Sequence, residues 1–444
     1  MIAFDIDKQT LNDLEIFGSS DHQKSLFNLF NQTSTIEGSS TLKLIFKNPL
    51  TDINLISERK KLIEYLQKNN LDFNLDKESI DFIEFYLRQN NQPKKLSPLF
   101  KFQKIVRDYL KPTRELYLKR RGVKEVLDLI SYLENLFSQL RSKEDYNFLI
   151  KLNNLIVSLK NNKHFGNYLS REKFKLNSSK FIDFDFEIRL TELNKINELL
   201  TLLYELDAYF SVAKAAKKYN LSYPDINNDK EKRIEIKGLR HIFIEKAVSN
   251  NIVISTEKNV SFITGVNMAG KSTLLKSIAI AVYLSHLGFP VPAEQMSTSV
   301  FDGLITTINI SDNLSEGYSH FYNEVRRVKD VANKIDESKN MLVIFDELFR
   351  GTNVKDAHEA SVSIINAFSK IKNCLFLVST HIIEVAEDLN HNNNIDFNFL
   401  ETKMIDGKPT FSHKLKAGIT ADRMGLWIIK NEGILEILHR NANR

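Results

Sequence analysis

The sequence predicts two parts, an all-helical one over residues 1–225 and an α/β one over residues 226–444. Three observations predict this division. Apolar residues recur at helical spacings of three and four through the first half, and a polar linker (Pro224, Asn227, Asn228, Asp229) ends that pattern. Beyond it, short β-branched runs alternate with helical stretches, and one run opens directly into a glycine-bounded turn.

In chain order, Thr10 is expected to cap a helix carrying Leu11, Leu14 and Ile16, with Gly18 ending it, and Ser25 to Phe30 supplies a second apolar face. Asn48-Pro49 breaks the pattern before a helix from Ile53 to Leu66. Val123, Val126, Leu127, Ile130, Leu133, Phe137 and Leu140 form one stripe of a helix of about five turns. A second long helix is expected over roughly 187–219, carrying Ile188, Leu193, Ile196, Leu199, Leu200, Leu203, Leu206 and Phe210. Two such stripes with few breakers predict antiparallel packing along their length. Just before the first lies a basic cluster between Lys101 and Lys124, with Lys104, Arg107, Lys111, Arg114, Lys119, Arg120 and Arg121. Its cations either line one face and meet phosphates, or pair with Glu115 and Glu125 on a solvated helix surface.

In the second half, Arg233–Ile236 and Ile252–Ser255 read as strands. Val260 to Thr273, VSFITGVNMAGKST, then runs from a buried strand through a turn into the apolar helix Leu274–Leu284. From Gly265 to Ser272 it fits G-x-x-x-x-G-K-[ST], the phosphate-loop pattern. The backbone N–H groups of Asn267, Met268, Ala269, Gly270 and Thr273 belong to such a loop and its first helical turn, where they converge on phosphate oxygens. Lys271 would reach the β- and γ-phosphates, and the Ser272 hydroxyl would take one position on Mg²⁺. Met341–Phe345 reads as a buried strand ending in Asp346-Glu347: Asp346 to hold Mg²⁺ through water, Glu347 to orient and deprotonate an attacking water. The strand Leu375–Val378 ends in Ser379-Thr380-His381, placing a histidine where the γ-phosphate can be sensed. Ser319 stands at the start of a helix running through Arg326 and Arg327 and is either a simple cap or a second anion site. In an ABC-type plan it would serve the phosphate loop of a second subunit.

At 444 residues and 42% hydrophobic content the chain can bury a core in each of about three domains. The single cysteine, Cys374, excludes an internal disulfide framework and fits a reducing, cytoplasmic setting. The N-terminus MIAFDID has no secretory pattern, and the longest apolar run, Ile278–Leu284, falls far short of the roughly 20 residues of a membrane span. A net charge of +5 permits nucleic-acid binding without demanding it.

These motifs resemble those of the MutS mismatch-repair family. GVNMAGKST is similar to that family's GPNMGGKST, LLKSIAIAVYLSHLGFPVPAE to its following helix and Gly-x-x-Val-Pro-Ala ending, SHFYNEV to STFMxEM, FDELFRGTN to DEIGRGTS, STHIIEVAE to THYxEL, and GLRH at 238–241 to the R-H-P entry of its ATPase domain. Upstream, residues 26–66 resemble the start of its core domain, and AAKKYNLSYPDI resembles its lever-to-ATPase junction. The likeness covers nearly the whole chain, strongly after Ile234. It implies an ABC-type P-loop ATPase and dimerisation domain over 226–444, preceded by a helical core and lever domain over 1–225 with a shortened clamp. It further implies ATP and Mg²⁺ as ligands, a homodimer with composite sites, and DNA held by its backbone in repair or recombination, with a further family member or repair protein as a candidate partner.

The departures are specific. The mismatch-reading and connector domains are expected to be absent. Phe349 stands where the family has glycine near its dimer contact, Val266 where it has proline, and Ala269 where it has glycine. Val248 replaces an adenine-stacking aromatic, while His413 matches the other stacking position. Two rival readings share the same heads: an ATP-gated assembly module whose arms never touch DNA, and a degenerate ATPase that binds nucleotide without turnover.

Overall fold

The computed structural model describes residues 3–18, 24–69, 73–91, 93–111, 113–140, 146–162, 178–308, 320–336, 339–349, 351–405, 408–420, 431, 433–434, 437–438 and 440. The helices of the first half are α1 (Lys8–Asp13), α2 (Leu26–Phe30), α3 (Ile36–Lys47), α4 (Ile53–Asn69), α5 (Lys77–Leu87), α6 (Pro98–Leu110), α7 (Arg114–Gln139), α8 (Asn147–Lys160), α9 (Ser178–Phe186) and α10 (Leu193–Lys218). A π-helical turn, Glu187–Thr191, lies between the last two. There follow β1 (Asp225–Asn227), β2 (Arg233–Leu239), β3 (Asn250–Ser255), β4 (Val260–Thr264), α11 (Lys271–His286), β5 (Gln295–Ser299), β6 (Gly303–Thr307), α12 (His320–Asp336), β7 (Met341–Asp346), α13 (Val354–Phe368), β8 (Leu375–Thr380), α14 (Ile383–Leu389), β9 (Ile395–Ile405) and β10 (Lys408–Ala417).

The chain divides into two compact units whose boundaries fall at the end of α2 and inside α3, α4 and α10. One unit comprises Met1–Phe30, Ile45–Lys61 and Ala215–Arg444, the other Asn31–Leu44 and Leu62–Lys214. The line drawn at residue 225 from the sequence thus falls inside the first unit. Residues 1–30 and 45–61 join that unit because their apolar faces are buried there: Phe30 and Phe46 pack on Phe289, and the Tyr283 hydroxyl donates to the Phe46 carbonyl.

That unit holds a six-stranded sheet in the order β10-β9-β4-β8-β7-β6, parallel except for β10, and a four-stranded sheet in the order β1-β5-β2-β3. Strands β4, β6 and β8 are buried at every position, which is why they read as continuous apolar runs rather than alternating ones. Helix α11 is buried almost all round, and the apolar run Ile278–Leu284 is its middle. Cys374 sits buried just before β8, and burial pushes its thiol up to about 11, so it is an inert packing residue. Among the described residues no helix is long and apolar enough to cross a membrane.

In the other unit, α7 carries the expected stripe, with Val123, Val126, Leu127, Ile130 and Leu133 buried. Phe73 and Phe210 stack at 4.3 Å, and the Asp207 carboxylate accepts from the Ser34 and Thr35 amides at the start of α3. The long helix expected over 187–219 is instead interrupted: the π turn carries Arg189, whose guanidinium is buried and donates to the carbonyls of Gln89 and Asn91 beyond α5. A second difference concerns the first helix of the chain, in the unit with the sheets. Its cap is Asp7, whose carboxylate accepts from Thr10 N–H at 2.8 Å, while the Thr10 hydroxyl accepts from Thr306 N–H.

His286, at the end of α11, is 2% exposed. Its Nδ1 donates to Leu50 O at 2.7 Å and its Nε2 accepts from Phe301 N–H at 3.2 Å, an arrangement only neutral imidazole satisfies. Burial accordingly lowers its pKa to about 4. Because the folded-state value lies below the unfolded one of about 6.5, stability is complete above pH 6.5 and falls as the pH drops towards 4, by up to about 3 kcal/mol. Urea titrations between pH 7 and pH 4 should show that loss in the wild type and a smaller one in His286→Gln. An equally steep loss in the variant would assign the proton to another group.

Candidate functional site

The register of the parallel strands brings the sequence motifs to one edge. Thr264, the last residue of β4, pairs with Thr380, the last of β8, and Ser379 pairs with Asp346, the last of β7. The residues that follow these strands, Gly265, His381 and Glu347, therefore emerge side by side at the carboxyl ends of adjacent parallel strands, the usual place for a ligand crevice in such sheets.

The phosphate loop closes on its own lysine. Lys271, 5% exposed, donates from Nζ to Gly265 O at 2.8 Å and lies 3.5 Å from Glu347 Oε1. Gly265 is buried, Asn267 and Met268 are exposed, and Ala269 is buried with its amide donating to Val266 O. Gly270 has a φ of +103°, and a Cβ there would approach His413 Nδ1 to 3.2 Å, so glycine serves both the backbone and the neighbouring ring. Ser272 is exposed at the first turn of α11, next to half-buried Thr273.

Glu347 lies between Lys271 and His381. Its other carboxylate oxygen is 3.6 Å from Nδ1 of His381, a half-exposed ring. The Glu347 backbone has a φ of +57°, a left-handed conformation costly for a branched-out side chain, and its N–H donates to Ser379 O at 3.0 Å. The Ser379 hydroxyl donates to the Asp346 carboxylate. Ser379 therefore fixes both acidic residues, a role the sequence pattern did not assign.

His413 is a β10 residue at a register irregularity between Phe411 and Leu415, with a φ of +54°. Its Nδ1 faces Ala269 O at 2.8 Å, and since a carbonyl only accepts, Nδ1 carries a proton. Asn250 holds this bulge: its Nδ2 donates to His413 O at 2.9 Å and its Oδ1 accepts from Leu415 N–H at 2.8 Å. Asn250 also escaped the sequence reading; its one signal is the polar pair Asn250-Asn251 ahead of the apolar run Ile252–Ile254. Beside the loop is a cavity of about 280 Å³ lined by Val248, Asn250, Met268, Thr273 and His413 among others. Val248 and His413, the two positions compared with adenine-stacking residues, thus share one cavity wall with the phosphate loop.

Ser319 lies outside the described residues. The helix after it, α12, is tied to the segment following Glu347: Phe321 packs edge-on against Phe349 at 5.7 Å, and Glu324 accepts from Gly351 N–H. Phe349 occupies a glycine-like conformation (φ +61°) and is held there by burial of its ring. The basic cluster of the helical unit is divided. Lys101 pairs with Asp183, Lys119 with Glu115, Arg121 with Glu125 and Lys124 with Asp128, and Arg120 lies 5.7 Å from the Phe181 ring. Lys104 is half-buried, whereas Arg107, Lys111 and Arg114 are exposed.

The family model described as MutS domain V matches residues 261–444, and that of MutS domain III matches residues 9–314. Among curated relatives, the DNA mismatch repair protein MutS of Streptococcus sanguinis is 29% identical over 306 residues, covering 65% of this chain and 35% of that protein. The corresponding protein of Lactococcus lactis is 30% identical over 306 residues, with 65% and 36% covered. That of Streptococcus agalactiae is 24% identical over 530 residues, with 98% and 61% covered. The chain thus spans about a third of the first two and under two thirds of the third. The last alignment is longer than this 444-residue chain, so that relative carries internal residues without counterparts here.

Asn250→Ala removes both hydrogen bonds that hold the His413 bulge, and each is worth about 1 kcal/mol. Nucleotide affinity, read by titration with a fluorescent ATP analogue, should fall about tenfold. Unchanged affinity would show that His413 makes no contact with a bound nucleotide.

Proposed function

The chain belongs to the MutS family, and on that premise we propose that it is a Mg²⁺-dependent ATPase working as a homodimer, each ATP held between one protomer's phosphate loop and the other's Ser319. The observation that carries this reading is the convergence of Lys271, Glu347 and His381 at one sheet edge beside the 280 Å³ cavity. Lys271 and the loop amides meet the phosphates, and His413 with Val248 takes the base. Glu347 accepts a proton from water as the water oxygen bonds to the γ-phosphorus; the bond from that phosphorus to the bridging oxygen breaks, and ADP leaves with that electron pair. His381, beside Glu347, donates to the transferring phosphoryl group. Ser272 and Asp346 offer the hard oxygen donors that Mg²⁺ takes alongside phosphate and water. Magnesium, when bound, supplies positive charge to the β- and γ-phosphate oxygens.

ATP binding would draw the heads together and hydrolysis release them, moving the helical arms. The exposed Arg107, Lys111 and Arg114 support arms that hold a DNA duplex by its backbone without reading bases, in repair or recombination. The pairing of Lys101, Lys119, Arg121 and Lys124 with carboxylates favours the second reading, an ATP-gated assembly module whose arms take a protein partner.

Glu347→Gln keeps the size of the side chain but cannot take the proton. Phosphate release should fall at least about a hundredfold while ATP binding persists; unchanged turnover would remove Glu347 as the base. For the arms, DNA retention measured across salt should weaken steeply, and replacing Arg107, Lys111 and Arg114 together by alanine should flatten the slope of log K against log salt by up to about three. Absence of retention at low salt, with or without ATP, would favour the assembly module.

A further inference from the structure

Helix α6 is turned the opposite way from an ordinary surface helix, which faces its apolar stripe inward. Its half-buried positions are Lys101, Lys104, Ile105 and Asp108, which share one face at helical spacing. Lys101 fastens that face to Asp183 of α9 at 2.5 Å. On the other side Leu99, Phe102, Val106, Tyr109 and Leu110 are exposed, from 40% at Val106 to 86% at Tyr109. Leu99, Phe102, Val106 and Tyr109 recur at alternating intervals of three and four along about 15 Å, the seam spacing by which one helix packs on another. No residue of α6 is fully buried.

Between α6 and α9 lies a cavity of about 500 Å³. Its apolar surface comes from Phe102 and Ile105 of α6 and from Ile182 and Phe186 of α9, and exposed Lys94 and Lys95 also line it. Two carboxylates are present there too, but Asp183 is taken by Lys101, and Glu187 accepts from Asn162 at 3.4 Å. Phe102 belongs both to the seam and to the cavity, so the two form one continuous apolar surface. Lys94 and Lys95 at the cavity, and exposed Arg107 beside Val106, edge that surface with positive charge.

Charge and shape together select an occupant. From Lys94 to Arg114 the chain has seven cations and one anion, Asp108, so a second copy of α6 would bring like charge against like. A flat anionic lipid surface would cover the seam and leave the cavity beside it unfilled. Single-stranded nucleic acid binds by stacking bases on rings, and Leu99, Val106 and Leu110 along the seam offer none. An amphipathic helix with acidic flanks meets every feature: its apolar face fills seam and cavity, and its carboxylates meet the cations at the edge. We propose that α6 and α9 form a docking groove for such a helix of a partner protein, with Leu99, Phe102 and Val106 as its apolar contacts and Lys94, Lys95 and Arg107 as its cationic ones. This goes beyond the ATPase reading, concerns the helical unit alone, and is tested without measuring ATP turnover.

The test uses the full chain and a fluorescein-labelled synthetic peptide of about five helical turns, with leucines at intervals of three and four and glutamates on its flanks. Fluorescence anisotropy should show it binding at least about tenfold tighter than a scrambled peptide of the same composition or a twin with lysine in place of glutamate. Leu99→Asp with Val106→Asp alters only exposed positions, so the melting temperature should stay within a few degrees while peptide affinity falls about tenfold or more. Lys94→Glu with Lys95→Glu should weaken the acidic peptide and strengthen the lysine twin, a reversal that loss of folding cannot produce. Tyr109→Ser with Leu110→Ser carries the apolar arm of the test if the aspartate variant folds poorly. Equal binding of the acidic and scrambled peptides overturns the inference, as does acidic-peptide affinity unchanged by every one of these variants. If the acidic peptide does not bind, but phosphatidylglycerol vesicles or single-stranded DNA bind in a manner lost with Leu99→Asp and Val106→Asp, the surface belongs to lipid or nucleic acid and the inference fails. It fails equally if the peptide does not bind and sedimentation shows self-association that the same variant abolishes.

Discussion

The parallel pairing of β4, β8 and β7 sets three strand ends level, and the chemistry of the site depends on that alignment. A ladder bond fixes register in steps of whole residues. A slip of β7 by one residue against β8 would exchange the faces of Asp346 and Ser379 and carry Glu347 away from both Lys271 and His381. The aromatic stack Phe345–Phe368–Phe376, with ring centroids at 5.6 and 4.6 Å and nearly parallel planes, packs in the core that includes β7 and β8. It belongs to the packing energy that makes a slipped register unfavourable. The geometry of the candidate site is in this sense a consequence of the core that begins at Phe345, one residue before Asp346.

A second layer links the phosphate side of the unit to α12. Phe321 on Phe349 and Glu324 on the Gly351 amide join the helix to the segment after Glu347, while Arg327 and Lys334 join it to Asp7 and Asp5. One helix is thus held from two directions, by the segment that carries the proposed base and by the N-terminal stretch. Movement of either reaches the other through α12 and also through β6, which bridges to Asp5 and pairs with β7, because packed elements shift as bodies rather than deform.

What the sequence revealed and what it hid follow from how far apart the interacting residues lie. The strand, turn and helix around Gly265–Ser272 were legible because the pattern lies in consecutive residues, and Asp346-Glu347 because a buried strand announces its own end. The stripe on α7 was legible because a helix repeats its pattern over 26 residues. Asp7 was not, because a carboxylate with two oxygens can cap Thr10 and grip Arg327 together, and the second partner lies 320 residues away. Separation along the chain likewise hid Asn250, 163 residues from His413, Ser379, 33 residues from Asp346, and the membership of residues 1–30 and 45–61 in the unit that holds the phosphate loop. The basic cluster misled in a related way. Composition counts cations, whereas Asp183, which neutralises Lys101, arrives on a different helix.

Backbone strain in the same unit points to where stability has been given up. Of the six non-glycine residues with positive φ among those described, four are Met268, Glu347, Phe349 and His413. Each such residue costs on the order of 1 kcal/mol or more, and an unconstrained chain would relax. Three of them are held: Glu347 by the Ser379 carbonyl, His413 by both ends of the Asn250 amide, and Phe349 by burial against Phe321. Met268 is three-quarters exposed, and none of the hydrogen bonds described above reaches its side chain; its conformation follows from the turn that brings Gly265 and Gly270 around Lys271. Four strained residues in three separated segments share no sequence motif. They cluster around the loop from Gly265 to Gly270, whereas the other two, Glu15 and Asn220, lie elsewhere, so two thirds of the strained residues sit around the candidate site.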